Sequence, residues 1–409
     1  MQPLELNAMP LTRFTIQSLL VLVIASANAE PPDIPLGVPE TPEFVVDIRT
    51  PVIHDDREFL WFHPRAVAIP TMPGRGVMTI QKHLQISDYY SGLHVMYTED
   101  SGQTWTMPEA RPELDWFLED AQTQVSVADV TPGWHGPSGK VMAIGVKVRY
   151  RDAQQVYDQP QSFAVTYTVH DPEARTWTPW RYLEVPDPAG AFYLVSPGCS
   201  QWIVEENGEV LIPVYLKSEG VESATVLRCA FDGDKLTYLE HGNVMTAPEE
   251  GGVAEPSIVR FGDRHFLTIR NLFKGFVTTS TDGINFEPMI EWRFDDNTPL
   301  GSYNTQQHWL ARGGKLYLVY TRTGLNNDHV FRHRAPLMMA EVNPETLQVI
   351  RATEHPVINE RGATLGNFGV NSVTEKESWI TVGEGVWDDA IRARGAKGAT
   401  IVSRILWKD

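Results

Sequence analysis

The stretch PSIVRFGDRHFLTIR, residues 256–270, alternates apolar and polar positions, breaks at FGDR and resumes with a second apolar run. Period-two alternation on both sides of a Gly-Asp turn is the pattern of a β-hairpin. The pattern recurs in QWIVEENGEVLIPVYLK (201–217), HWLARGGKLYLVYTR (308–322) and GVNSVTEKESWITVGE (369–384), with ENGE, RGGK and TEKE as turns. Looser copies lie around 65–84 and 123–149. A third strand and then an acidic turn follow, and the units start about 50 to 75 residues apart, six in all. Strand-only periods of this size predict an all-β chain, a six-bladed β-propeller of four-stranded antiparallel blades, in a single domain over 30–409.

The bulk properties narrow the function. Of 409 residues, 52 are acidic and 34 are Lys or Arg, giving a net charge of −18. This argues against binding to nucleic-acid backbone, which needs a basic face. Arg13, the apolar run SLLVLVIA (18–25) and Ala27-Asn28-Ala29 form the pattern of a signal peptide cut after Ala29, too short to span a bilayer. The mature chain is therefore expected to be secreted or periplasmic, with no membrane span. Two cysteines, Cys199 and Cys229, are compatible with a disulfide or with free thiols, and neither has the sequence neighbours of a metal site. No cofactor or metal is expected.

The acidic turns repeat. YTEDSGQTWT (97–106) has the fullest form, STDGINF (280–286) is shorter, and HDPEARTW (170–177) keeps the acid and the Thr-Trp pair. Asp in such a turn accepts hydrogen bonds from its own loop, Gly supplies a positive φ, and the aromatic residue packs into the neighbouring strands. A feature that recurs unit by unit serves folding, so chemistry is expected at the opposite strand ends. There, His63 and Arg65 precede a strand, and Glu255 and Arg270 bracket the hairpin 256–270. Tyr303 and His308 stand before another strand, and NNDHVFRHRAP packs His329, Arg332, His333 and Arg334 together. Guanidinium forks bind carboxylates bidentately, so this basic cluster in an acidic chain points to an anionic ligand.

YTEDSGQTWT resembles the Asp-box (BNR repeat) of the sialidase superfamily, and STDGINF its short form. The resemblance covers essentially the whole mature chain as a six-blade pattern. It implies that Arg65 holds a substrate carboxylate, with His-Pro-Arg-Ala in place of the usual surroundings. It also implies that Glu255 and Arg270 match the Glu–Arg hairpin, that Arg332 or Arg334 is the third arginine, and that Asp88 in SDYYSG (87–92) is the acid/base. One position departs. Where the family carries a nucleophilic Tyr, this chain reads GNFGVNSV (366–373), with Asn367 or Phe368 in its place.

Three functions follow as expectations. The first is a secreted exo-glycoside hydrolase acting on a terminal acidic sugar of a glycan, with Asp88 and Glu255 as its carboxylates. The second is a polysaccharide lyase in which Arg65, Arg270 and Asn367 neutralise a uronate carboxylate and His63, His308 or Tyr303 moves the proton. The third is a non-catalytic glycan-binding propeller. Convergence of Arg65, Asp88, Glu255, Arg270, His308 and Arg332 or Arg334 on one mouth of the channel is the structural expectation they share.

Overall fold

A computed structural model describes residues 41–84, 88–157, 163–187, 194–218, 221–248 and 251–408. The expected signal peptide, 1–29, lies outside the described residues. Strands make up 53% of the chain and helices 5%, an all-β chain arranged as a β-propeller of antiparallel sheets.

Each sequence hairpin is present as an antiparallel pair. Ala254–Phe261 runs into Arg264–Arg270 through the FGDR turn, and His308–Arg312 into Lys315–Tyr320 through RGGK. Phe368–Thr374 pairs with Glu377–Gly383, and Ile203–Val204 with Val210–Ser218. The looser copies are Leu60–Ala68 with Gly76–His83 and Gln124–His135 with Lys140–Arg151. These inner strands are apolar enough to be covered on both faces: every residue of Leu60–Ala68 is buried. Each packs on the inner strand of the next sheet. Leu60–Ala68 touches both Gln124–His135 and Phe368–Thr374, and His308–Arg312 touches Ala254–Phe261 and Phe368–Thr374.

The regular six-blade expectation requires correction. Counted as propeller blades the arrangement gives five, while main-chain hydrogen bonding divides the described strands into six sheets. Only three of those sheets have four strands; the others have seven, six and six. The irregularity comes from short outer strands that cross unit boundaries. Arg293–Phe294, which follows the fourth sheet in the chain, pairs in parallel with Gln348–Val349 of the fifth. Ring closure is the work of the N-terminal strand Phe44–Ile53, which pairs antiparallel with the C-terminal strand Ala399–Trp407 and completes the last sheet.

The turn in YTEDSGQTWT is closed by its own side chains. Asp100 accepts from Thr98 Oγ1 at 2.9 Å, from the Thr104 amide at 2.9 Å and from Thr104 Oγ1 at 2.7 Å. Gly102 adopts φ 77°, and a Cβ there would stand 3.0 Å from the ring of the buried Trp379. Trp105 donates to the Gly102 carbonyl and packs edge-on against Trp379 at 5.5 Å. Asp282 in STDGINF is served in the same way by Ser280, Ile284 and Asn285, with Gly283 at φ 79°. Asp171 in HDPEARTW takes the amides of Glu173 and Ala174. Antiparallel pairing puts these turns at the strand ends opposite Glu255 and Arg270. Cys199 and Cys229 are both free thiols.

Candidate active site

The inner strands do not reach the mouth as regular β-structure. The Leu60–Ala68 pairing shifts register between Phe62 and Arg65, Gln124–His135 between Ala128 and Thr131, and Ala254–Phe261 between Ala254 and Ser257. Each irregularity holds one left-handed residue: His63 at φ 52°, Asp129 at φ 55° and Glu255 at φ 49°. Cys199, ahead of the strand Ile203–Val204, has φ 60° and is tied to the second sheet by its amide bonding Asp129 O. A bulge inserts a residue and re-aims its side chain. Four consecutive sheets thus present His63, Asp129, Cys199 and Glu255 to one cavity.

That cavity, about 280 Å³, is also lined by Asp88, Tyr90, Tyr215, Glu222, Arg270, Arg332, Arg334 and Asn367. Arg270 Nη2 stands 3.1 Å from Glu255 Oε1, and its Nη1 donates to Asn304 Oδ1 at 3.0 Å. The same Asn304 oxygen accepts from Arg332 at 3.4 Å, and the Asn304 carbonyl accepts from Arg334. Asn304 is thus the hub that gathers three guanidiniums on one wall. Arg334 lies so close to Gly366 that a Cβ there would overlap its side chain. Burial, with the like charge of Arg270 beside it, pulls Arg334 down to about 10. Arg332 is shifted down by the same two causes.

The acids respond in the opposite sense. Burial raises Glu255 above the ordinary carboxylate range against the pull of Arg270. Burial likewise raises Asp129, against the pull of Arg65. His63 is driven well below its usual value by burial and then by Arg65, so the imidazole is neutral. Its ring packs against Tyr90 at 5.0 Å. A wider recess on the same side shares Asp88, Tyr90, Arg332, Arg334 and Asn367, and adds an aromatic wall of Phe62, His83, Phe331 and Trp387.

Of the residues expected at one mouth, Asp88, Glu255, Arg270, Arg332 and Arg334 line this cavity, and so do His63 and Asn367. Arg65 and His308 do not line it. Arg65 is 1% exposed beneath the floor, bonded to Gln306 Oε1 at 3.0 Å, because the bulge gives the mouth position to His63. His308 is sealed between Ser257 Oγ and the Phe368 carbonyl, and burial holds it at about 3. Tyr303 does not line it either; its hydroxyl bonds His333 at 2.8 Å. Asn367 faces the cavity, whereas Phe368 is fully buried.

Sequence reasoning missed Asp129, Cys199, Asn304, Tyr215 and Glu222. Cys199 had a usable signal. It stands two residues before Gln201, as Glu255 stands two before Ser257, and the Gln201 amide bonds Ser257 Oγ.

No protein-family model matches the chain, and no curated protein matches it. Solved structures do. A protein of unknown function from Dyadobacter fermentans is 15% identical, with a TM-score of 0.63, over 88% of this chain and 99% of its own. The Trypanosoma rangeli sialidase bound to the inhibitor DANA is 12% identical, with a TM-score of 0.58, over 89% of this chain. A leech intramolecular trans-sialidase is 12% identical, with a TM-score of 0.58, over 87%. This chain spans 60% of the trypanosomal enzyme and 70% of the leech enzyme. At these identities the likeness is one of fold: the chain is built on a sialidase-like β-propeller.

Proposed function

We propose that the protein is a secreted exo-acting glycoside hydrolase whose substrate is a glycan ending in an acidic sugar. The observation that carries this reading is the trio Arg270, Arg332 and Arg334, gathered by Asn304 on one wall of the cavity. Like charges drawn together at this cost call for an anion, and guanidinium forks match a carboxylate. Glu255, raised by burial against the pull of Arg270, is the candidate to protonate a leaving oxygen. Asp88 supplies the second carboxylate of the pair that glycoside hydrolysis uses. The aromatic wall of Phe331 and Trp387 suits the face of a neighbouring sugar. Export rests on the apolar segment before Ala27-Asn28-Ala29.

A specific observation favours a second reading, a lyase on uronate-containing glycans. Neutral His63 and Asn367 share the cavity with Tyr90 and Tyr215, a set able to take and return a proton. The test is incubation of the mature chain with a panel of acidic glycans, following new reducing ends and the ultraviolet absorbance of a 4,5-unsaturated uronate. Reducing ends without absorbance are expected. Absorbance overturns the hydrolase in favour of the lyase, and binding with neither signal overturns both in favour of a glycan-binding propeller.

A further inference from the structure

His63, Asp129 and Cys199 are one-letter neighbours of nothing in the sequence, yet three successive sheets bring them together. An imidazole nitrogen, a carboxylate oxygen and Cys199 Sγ all lie within 4.8 Å of one another. All three line the cavity. His63 is 3% exposed and Cys199 4%. His63 Nδ1 stands 3.0 Å from Asp129 Oδ1 but has no hydrogen-bond partner, so the two groups are side by side without a proton directed between them. A buried nitrogen of this kind is left without a well-aligned hydrogen bond among the described residues.

We propose that His63, Asp129 and Cys199 bind a divalent transition-metal ion, with Zn2+ as the matching ion and the remaining coordination position open to the cavity. Bond lengths of about 2.0–2.3 Å in a tetrahedral site place ligand atoms roughly 3.3–3.7 Å apart, so the trio needs side-chain adjustments of about 1 Å. The donor set selects the metal. One nitrogen, one oxygen and one sulfur suit zinc, whereas Ca2+ and Mg2+ require a shell of oxygens. A carboxylate and a thiolate balance the ion against the opposing charge of Arg65, whose guanidinium acts on all three ligands, and ligation releases the Cys199 proton to solvent. Three left-handed backbones, a conformation that side chains rarely adopt, are the structural means of aiming these side chains at one point. The site is independent of the hydrolase reading, because it is tested by binding alone.

The experiment is titration of chelator-treated mature protein with Co2+, followed by displacement with Zn2+. One Co2+ per chain is expected, with a near-ultraviolet thiolate-to-metal charge-transfer band that Zn2+ abolishes. Cys199→Ser should lose the band, and Asp129→Asn should weaken uptake by roughly tenfold or more. Cys229→Ser, which changes the other, core-buried cysteine, should retain it. That control also keeps the test decisive if Cys199→Ser does not fold, since a band retained there leaves only Cys199 as the thiolate. Absence of stoichiometric Co2+ uptake by the wild-type chain, a band surviving in Cys199→Ser, or a band lost in Cys229→Ser overturns the site.

Discussion

The two ends of the same strands solve a similar backbone problem differently. At the turn end, positive φ falls on Gly102 and Gly283, with Ser101 and Arg175 left-handed beside them, and the polar groups of Asp100 and Asp282 are satisfied by their own loops. At the mouth, positive φ falls on His63, Asp88, Asp129, Cys199 and Glu255, residues for which that conformation is unfavourable. Their side chains line a cavity instead of closing on themselves. Glycine marks a place where only the backbone path matters. A left-handed acid, imidazole or thiol marks a place where the side chain had to be kept despite the path.

The largest effects should come from exchanging the two solutions. Asp88→Gly relieves an exposed left-handed residue at φ 56°, so the thermal midpoint should hold or rise. Glycan turnover should nevertheless fall by roughly a hundredfold or more if Asp88 is a catalytic carboxylate. Gly102→Ala should do the reverse. It forces φ 77° on a side chain whose Cβ meets Trp379, costing about 1–3 kcal/mol by denaturant unfolding with turnover unchanged. Equal losses of activity in the two variants would erase the distinction between the ends.

Acid sensitivity should be shared between the ends. Burial holds His308, near the mouth, at about 3 and His170, in the turn segment HDPEARTW, at about 4. Both stay neutral in the folded chain while the unfolded chain takes up protons below about pH 6.5. The unfolded state binds more protons in that window, so stability falls as pH drops from about 6.5 toward 4, by roughly 1.4 kcal/mol per pH unit for each histidine. Measured across pH 4–7, His308→Gln and His170→Gln should each flatten this slope. The smallest effect is expected at the turn itself. Asp100→Ala removes hydrogen bonds from a partly exposed loop and should cost about 1 kcal/mol, read as a shift in urea midpoint; a larger loss would show that the turns do more than close a hairpin.

What could be read in the sequence was what is local. Hairpins such as 256–270 show because alternation and a Gly-Asp turn lie within fifteen consecutive residues. Glu255 and Arg270 were legible for the same reason, since one hairpin brackets both. His63 reached the cavity and Arg65 did not, because a bulge moves the mouth position by two residues, and nothing in FHPRAVAIP announces it. Cys199 and Asp129 meet only through the packing of one sheet on the next. His308 looked like a free base at a strand start, and Ser257 and Phe368, distant in the chain, make it part of the core. The outer strands departed from the four-per-unit pattern because two-residue strands such as Arg293–Phe294 carry no period to detect.

The closure of the ring by Phe44–Ile53 on Ala399–Trp407 sets the order in which the molecule can be assembled. Phe44 lies opposite Trp407, so a ribosome-bound or translocating chain holds the first strand unpaired until Ala399–Trp407 has emerged. That first strand has open edges for most of synthesis, the kind of edge that pairs with foreign strands. Such long-range pairing makes folding slow. Once the two strands zip together, opening the ring requires parting two strands that come from distant parts of the sequence.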